Sequence, residues 1–313
     1  MISLQNQIIF PCNLIYFCDI INIEMSFTLP FNKAKHNVII MNQKRNNKKP
    51  VKSEHKYLLK RGQDLDTDNF HLFSLKSLAG AKLPTSVDLR SNCPTVFDQG
   101  ALGSCTANAL ASAYQFVQIK NKTKNFVPSR LFIYYNERMV EGTTKEDAGA
   151  ELRTGINVMT RYGVCPETMW PYNINQFTVR PRNTCYNSGV LHKVTTSKRV
   201  GQTLSQLKQC LANGFPFVIG IAVFDSFESD AVSRTGIVPM PNTSTESLLG
   251  GHALLCVGYN DATGRFIVRN SWGTSWGDAG YCHIPYAYLT NASLAGDFWT
   301  ISAVNDKRDP NVP

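Results

Sequence analysis

The apolar positions in the first part of the chain follow a helical period. Beyond Cys105 they recur three or four residues apart, at Ala107, Leu110, Ala111, Tyr114 and Val117. This spacing puts them on one face of a helix, and Gly103 and Ser104 directly before it suit a turn and an N-cap. We therefore predict a helix that begins near Ser104, and the same pattern predicts further helices from Ser129 and over residues 152–162.

The second part of the chain shows strand patterns instead. Runs of apolar and β-branched residues, which are typical of buried strands, occupy residues 218–224, 252–259 and 266–269. Residues 203–213 have the pattern of a helix that ends before Gly214. The sequence thus predicts an α+β fold with a helical part over about residues 100–200 and a β part over about residues 201–301.

The length and composition are those of a globular protein. The chain has 313 residues, of which 43% are hydrophobic, and this is enough to bury one or two cores. Its net charge of +9 is uneven, because residues 1–83 hold 12 Lys and Arg against 6 Asp and Glu. We expect a solvated, flexible leader there. A basic tail that binds nucleic acid is the alternative, and composition alone favours it less.

Five residues of complementary chemistry stand far apart in the sequence. Cys105 opens the first predicted helix, whose N-terminal N–H groups and dipole favour a thiolate. His252, in a predicted buried strand, can take the thiol proton and later donate it, and Asn270 can orient the imidazole through its other nitrogen. Gln99 and the backbone N–H of Cys105 can donate to a developing oxyanion. Trp272 can cover the bond between His252 and Asn270.

Each of these residues alone has a plain structural explanation. A lone cysteine is most often an inert buried side chain, and a lone histidine between glycines and a strand is more often structural. The Asn-Ser-Trp-Gly run can be a turn with a buried tryptophan. Their occurrence together, in one order over about 170 residues, favours a thiol nucleophile over these separate explanations.

These residues resemble the papain-like cysteine proteases of the cathepsin family, over roughly residues 83–301. The family's oxyanion glutamine, nucleophile, base and orienting asparagine are matched by Gln99, Cys105, His252 and Asn270. The run over residues 270–281 is very close to the family pattern, and residues 83–90 look like its mature N-terminus. The resemblance implies a two-lobed α+β fold, in which a helical left lobe carries the nucleophile and a β-barrel-like right lobe carries the base. It also implies a leader and pro-segment over residues 1–83 and a peptidase domain over residues 84–313.

The same resemblance assigns substrate-binding residues. Gly149 and Ala150 align with the family's extended-strand substrate clamp, and Gly251 stands directly before the base. Asp297 falls near the floor of the family's specificity pocket, where an acid would favour a basic side chain two residues before the cut. A surface acid near the C-terminus is the alternative that we favour for Asp297.

The chain departs from the family beside the nucleophile. Where the family has Cys-Gly-Ser-Cys-Trp, this chain has Leu-Gly-Ser-Cys-Thr, from Leu102 to Thr106. The missing first cysteine normally forms a disulfide with one just ahead of the substrate-binding glycines, and Asp147 lies near that partner's position. Both halves of the bridge are absent together, as in a divergent, bacterial-like branch. We expect catalysis to survive, because the nucleophile keeps its place at the helix start.

Nine cysteines are present, and their spacing fits no metal site. Cys210 and Cys256 lie in apolar runs and are predicted core residues, whereas Cys93, Cys165 and Cys185 lie in loop-like sequence and could pair. We expect mostly reduced cysteines and an intracellular location.

The N-terminal region resembles a segment that is removed. Residues 1–24 are apolar in places, but no basic residue precedes the apolar part and Asp19 interrupts it. They make a poor secretory signal and are too short for a membrane span. Residues 25–83 stand where the family has a pro-segment, and within them residues 70–78 suit a short helix or strand. We predict that this segment covers the active-site cleft and restrains activity until it is removed.

The sequence therefore predicts a monomeric thiol endopeptidase that is made as a zymogen and needs no metal or organic cofactor. It would hydrolyse peptide bonds in peptides or proteins through a Cys-His-Asn triad and an acyl-enzyme. Its expected partners are these substrates and its own pro-segment in the cleft; we expect no membrane span, and nucleic acid is not an expected partner. Two alternatives use the same fold: a catalytically silent binding protein, and an acyl transferase or peptide ligase.

Overall fold

The computed structural model describes residues 55–62, 73, 82–123 and 125–305. These residues form seven α-helices, namely α1 (Cys105–Asn121), α2 (Arg130–Val140), α3 (Leu152–Arg161), α4 (Asn183–Gly189), α5 (Leu204–Ala212), α6 (Asp230–Thr235) and α7 (Tyr286–Leu289). Short 3-10 helices lie at Arg90–Asn92, Ile174–Gln176 and Asp225–Glu228.

The strands pair into one antiparallel sheet. They are β1 (Ser86–Asp88), β2 (Val194–Arg199), β3 (Phe217–Phe224), β4 (Leu248–Asn260), β5 (Arg265–Arg269), β6 (Tyr281–Pro285) and β7 (Ala295–Val304). The sheet has the order β2-β7-β3-β4-β5-β6, and β1 pairs with the last residues of β4. β1 lies before the predicted helical part, and β2 lies at its end, so the sheet extends beyond the predicted β part of residues 201–301.

Helix α1 lies at the centre of the fold. It is buried from Cys105 to Gln118, because it packs against α2 and α3 on one side and against β4 on the other. Side chains of β3 alternate between two apolar clusters, with Val218 in the cluster around α1 and Phe217 and Ile219 in the cluster on the other face. This is the period of a strand that is buried on both faces. The packing of α1 on β4 brings the helix that carries the cysteine against the strand that carries the histidine.

The predicted helices begin where the pattern placed them, but one cap is different. Ser129 accepts a hydrogen bond from the Phe132 N–H at 3.1 Å, as an N-cap does. Ser104 also precedes its helix, but its Oγ lies 2.6 Å from the Tyr172 hydroxyl and accepts from Asn108 Nδ2 at 3.0 Å. The expectation that the Ser104 side chain caps the helix is therefore wrong. Its Oγ is hydrogen-bonded to the side chains of Tyr172 and Asn108 instead of to the backbone N–H groups of the first turn.

The cysteines of the described residues are free thiols. Cys210 and Cys256 are fully buried, as predicted from their apolar surroundings. Cys165 and Cys185, which we expected could pair, are both buried and lie within hydrogen-bonding distance of each other.

Two further expectations concern the predicted element at residues 70–78 and the lack of a membrane span. Residues 70–78 lie outside them except for Phe73, which is buried, so the expected short helix or strand stays a prediction. In the part of the chain that the structure describes, no helix is long and apolar enough to cross a membrane.

Candidate active site

The first turn of α1 carries Cys105, which is fully buried. Burial is the largest influence on its thiol and raises the pKa of Cys105 to about 12, and the nearby Glu137 acts in the same direction. A hydrogen bond from the backbone N–H of Ala253 in β4 acts to lower this pKa. The N–H groups of Thr106 and Cys105 itself act in the same direction, as expected at a helix start. In this covered state the sulfur is a neutral thiol. Its contact with Ala253 places it next to His252.

His252 lies in β4, and Asn270 directly follows β5. His252 Nε2 donates to Asn270 Oδ1 at 2.9 Å, and the same oxygen accepts the Ser271 N–H at 2.8 Å. The other ring nitrogen, Nδ1, has no hydrogen-bond partner among the described residues. Burial lowers the pKa of His252 to about 4, so the ring is neutral. The Trp272 ring stacks on this imidazole, with centroids 5.0 Å apart.

Gln99 lies on the other side of Asn270, next to the loop before α1. It is fully buried, its Oε1 accepts from Ser271 Oγ at 2.6 Å, and its Nε2 donates to the Leu102 carbonyl at 3.0 Å. Since an amide nitrogen carries two hydrogens, one N–H remains for another acceptor. All five residues of the predicted catalytic group therefore lie together where α1 packs on β4.

Residues 55–62, from the predicted leader, lie across this group. The Leu59 N–H donates to the Gly251 carbonyl at 3.0 Å, and the Lys60 N–H donates to the Ala150 carbonyl at 3.1 Å. The segment thus forms backbone hydrogen bonds with both walls of the cleft, as a bound peptide does.

Leu58 lies in the cleft between two glycines. Its side chain contacts Gly103, and its carbonyl packs on Gly149, so closely that a Cβ at either position would clash with it. Gly149 also has a φ of +66°, which other residues rarely adopt. The predicted substrate-binding residues Gly149, Ala150 and Gly251 therefore all contact the segment.

Leu59 enters an apolar cavity of about 270 Å³. Its walls include the small and aliphatic residues Gly220, Ile221, Ala222, Leu294 and Ala295. Asp297 lies at the end of this cavity and is half-buried, and its carboxylate accepts the Trp299 Nε1–H. Asp297 therefore lines the cavity, contrary to the surface position that we favoured.

Aromatic side chains of the segment cover the base. His55 stacks on Trp272 with ring centroids 3.9 Å apart, and the edge of Tyr57 meets His252 at 5.8 Å. These contacts add to the burial of the imidazole, which lowers its pKa, and the nearby His55 acts in the same direction.

Two lysine ion pairs anchor the segment, and neither was predicted from the sequence. Lys56 lies 2.6 Å from Asp147, and Lys60 lies 2.6 Å from Glu141. The sequence signal that could have located the segment is the apolar run at residues 57–59 between these two lysines. Because both lysines are more than a third exposed, each pair adds only modest stability.

The comparisons with known proteins agree with this geometry. The family model described as papain family cysteine protease matches residues 83–296, which is more than half of the chain. The chain belongs to the papain family of cysteine proteases. It is 47% identical over 227 residues to a peptidase C1-like protein of Acanthamoeba polyphaga mimivirus, with 68% of this chain and 73% of that protein covered. Against several other curated relatives the chain spans about six tenths of their length.

Solved structures of this papain family share the fold. Xylellain, a cysteine protease from Xylella fastidiosa, is 40% identical with a TM-score of 0.72, covering 83% of this chain and 100% of that chain. A digestive procathepsin L 3 from the larval midgut of Tenebrio molitor is 20% identical with a TM-score of 0.58, covering 77% of this chain and 74% of that one. The expected family and α+β fold are confirmed. This chain is therefore a cysteine peptidase, a hydrolase of peptide bonds.

Proposed function

We propose that the protein is a thiol endopeptidase in which Cys105 is the nucleophile, His252 the general base and acid, and Asn270 the residue that orients the imidazole. The observation that carries this is the 2.9 Å hydrogen bond from His252 Nε2 to Asn270 Oδ1, beside a thiol at a helix start. It leaves Nδ1 without a partner among the described residues, and a base needs one oriented ring with one nitrogen free.

The reaction follows from the charges of these groups. When the cleft opens to water, the burial that keeps both groups neutral is relieved, and the proton moves from Cys105 Sγ to His252 Nδ1. The thiolate attacks the carbonyl carbon of a peptide bond, and the oxyanion accepts hydrogen bonds from the Gln99 amide and the Cys105 backbone N–H. The imidazolium gives its proton to the leaving amine, the C–N bond breaks, and a thioester remains. Water then loses a proton to His252 and attacks the thioester, which releases the acid and restores the thiol.

We further propose that residues 55–62 keep the full chain inactive, as in a zymogen. The direction of the segment supports this. A leaving amine must lie at His252 to be protonated, so the C-terminal half of a bound substrate passes His252 and Trp272. The N-terminal half of the substrate must then pass Ala150 and the cavity that holds Leu59.

The segment runs the other way. Its N-terminal residues His55 and Tyr57 contact Trp272 and His252, where the C-terminal half of a substrate would lie. Leu59 and Lys60 then follow at the cavity and at Ala150, where the N-terminal half would lie. A carbonyl held in this direction does not present its amine to His252, so the segment occupies the cleft without being cut.

The cavity around Leu59 supports an apolar preference two residues before the cut, since that substrate residue would take the place of Leu59. Its walls are aliphatic, and Asp297 at its end is already the acceptor for Trp299. We therefore propose peptide substrates with a leucine-like side chain at this position.

The Cys105→Ala variant tests the proposed nucleophile. It should fold, fail to hydrolyse peptides and fail to react with a thiol-directed epoxide, because it lacks the thiol that opens α1 beside His252. Retained hydrolysis would refute the assignment. Formation of a new peptide bond with an added amine, faster than hydrolysis, would instead identify a ligase. A wild-type protein that neither hydrolyses nor forms peptide bonds after its cleft is opened would be a binding protein.

A further inference from the structure

A carboxylate beside the cleft connects two of its loops. Asp147 accepts the Gly103 N–H, at 3.0 Å to Oδ1 and 3.2 Å to Oδ2, and it accepts the Tyr134 hydroxyl at 2.6 Å. The Tyr134 oxygen in turn accepts the Gly149 N–H at 3.1 Å. A continuous chain of hydrogen bonds therefore runs from Gly103, two residues before Cys105, to Gly149 in the loop before α3.

These two glycines form the cradle of one substrate residue. Both contact Leu58, and neither has room for a Cβ. In a substrate, the residue held here carries the carbonyl that Cys105 attacks. The separation of Gly103 and Gly149 therefore sets where that carbonyl lies relative to the sulfur, and small errors in such placement are costly in rate.

The side chains of this link are shielded from water. The Asp147 side chain is 12% exposed, and Tyr134 is fully buried. Burial, together with the hydrogen bond to Asp147, raises the pKa of Tyr134 well above its ordinary value, so the hydroxyl stays a neutral donor. Hydrogen bonds to a carboxylate are stronger than those between neutral groups, which suits Asp147 to hold both partners in place.

The same carboxylate also holds the covering segment. Lys56 Nζ lies 2.6 Å from Asp147 Oδ2, and Lys56 itself is 47% exposed. One group thus contacts both the cradle and the segment that fills it.

We propose that Asp147 is a positioning residue of this peptidase. It fixes Gly103 and Gly149 around the substrate residue whose carbonyl is attacked, and in the full chain it anchors the covering segment through Lys56. The proposal rests on the proposed attack by Cys105.

Three variants of the full chain separate the two roles. Asp147→Ala removes both the link and the anchor. Asp147→Asn keeps an oxygen that can accept from Gly103 and Tyr134 but loses the charge that attracts Lys56. Lys56→Gln removes the anchor alone. The kcat per titrated active site reports positioning. The apparent KM reports covering, because the segment competes with the substrate for the cleft.

We expect Lys56→Gln to lower the apparent KM and leave kcat unchanged. Asp147→Ala should lower kcat about 10-fold or more, the usual effect of losing a charge-assisted hydrogen bond. Asp147→Asn should recover most of that loss in kcat while sharing the lower apparent KM of Lys56→Gln. A wild-type kcat in Asp147→Ala, or an equal loss in Asp147→Asn, would overturn the positioning role. An unchanged KM in Lys56→Gln would overturn the anchor.

A milder variant tests the link with little risk of misfolding, and a measurement of amide exchange tests it without turnover. Tyr134→Phe removes only a hydroxyl and should lower kcat several-fold without lowering the apparent KM. The amide exchange of Gly103, followed by NMR in the Cys105→Ala background, should be faster when Asp147 is replaced by Asn or Ala. If the wild-type protein hydrolyses nothing but this exchange accelerates, the link stands and the proposed function fails. If the exchange rate is unchanged, the link itself is refuted.

Discussion

A buried acid behind the nucleophile gives a sharp prediction about stability. Glu137 in α2 is fully buried; its Oε2 accepts the Thr106 hydroxyl at 2.8 Å, and its Oε1 packs against Gly155 without a partner among the described residues. Burial raises the pKa of Glu137 from an ordinary value of 4.5 to about 8, and the neighbouring Glu141 adds to the effect. The acid is therefore neutral in the folded protein at pH 7.

The magnitude follows from proton linkage. Above pH 4.5 the unfolded chain loses the proton of Glu137, whereas the folded protein keeps it until about pH 8. The folded state binds more protons in this interval, so the free energy of unfolding falls as the pH rises through it and is level above it. Integrated over the interval, the loss is about 5 kcal/mol, a large part of the stability of a typical domain.

The Glu137→Gln variant should lack this loss, because an amide does not titrate. We expect the variant to be as stable as its parent, or slightly less stable, near pH 4.5, and more stable by several kcal/mol near pH 8. Urea unfolding at several pH values between these limits, in the Cys105→Ala background to prevent self-digestion, measures the difference.

The control is Glu146→Gln, which removes one exposed carboxylate close to the same helix. Its effect on the free energy of unfolding should differ little between the two pH limits. If Glu137→Gln behaves like this control, with a difference from its parent that is constant within about 1 kcal/mol, Glu137 is ionised in the folded state at neutral pH, contrary to this prediction.

Three further predictions concern the cleft and the core. Leu59→Asp puts a charge into the apolar cavity and should release the segment, so the initial rate of peptide hydrolysis by the full chain should rise about 10-fold or more; an unchanged rate would show that the segment does not restrain activity. Peptides with Leu two residues before the cut should have kcat/KM values about 10-fold above those of matched Arg peptides, and equal values would contradict an apolar pocket. Gly155→Ala would drive a Cβ into the Glu137 carboxyl and should lower the free energy of unfolding by about 1–3 kcal/mol, measured from the urea midpoint, whereas a neutral effect would mean that the helices part easily.

The elements that carry the site could be predicted from the sequence. The apolar residues located the helix that begins at Cys105 and the strand that holds His252. They did not show that the helix is buried on all sides as far as Gln118, or that the strand is buried on both faces from His252 to Tyr259. The packing of this helix against this strand could not be predicted from the local apolar pattern. It followed from the family resemblance, because the order of Gln99, Cys105, His252 and Asn270 is specific.

The polar groups that complete the site could not be predicted. From the sequence, Asp147 could be interpreted only as a residue near the position of a family cysteine that this chain lacks. Its hydrogen-bond partners Gly103 and Tyr134 lie 44 and 13 residues away in sequence. A glutamate in a helix usually faces solvent, and only the close packing of α2 on α3 at Gly155 puts Glu137 in the interior. Such contacts depend on tertiary packing, which no local period describes.

The stacking of Trp272 on two imidazoles gives the molecule an optical signal of its own. Its indole lies 3.9 Å from the ring of His55 and 5.0 Å from that of His252. Departure of residues 55–62 would expose the indole to water, and tryptophan emission moves to longer wavelength in a polar surrounding. Opening of the cleft should therefore be visible by intrinsic fluorescence in real time, with no substrate or added dye, and its rate could be compared directly with the onset of turnover.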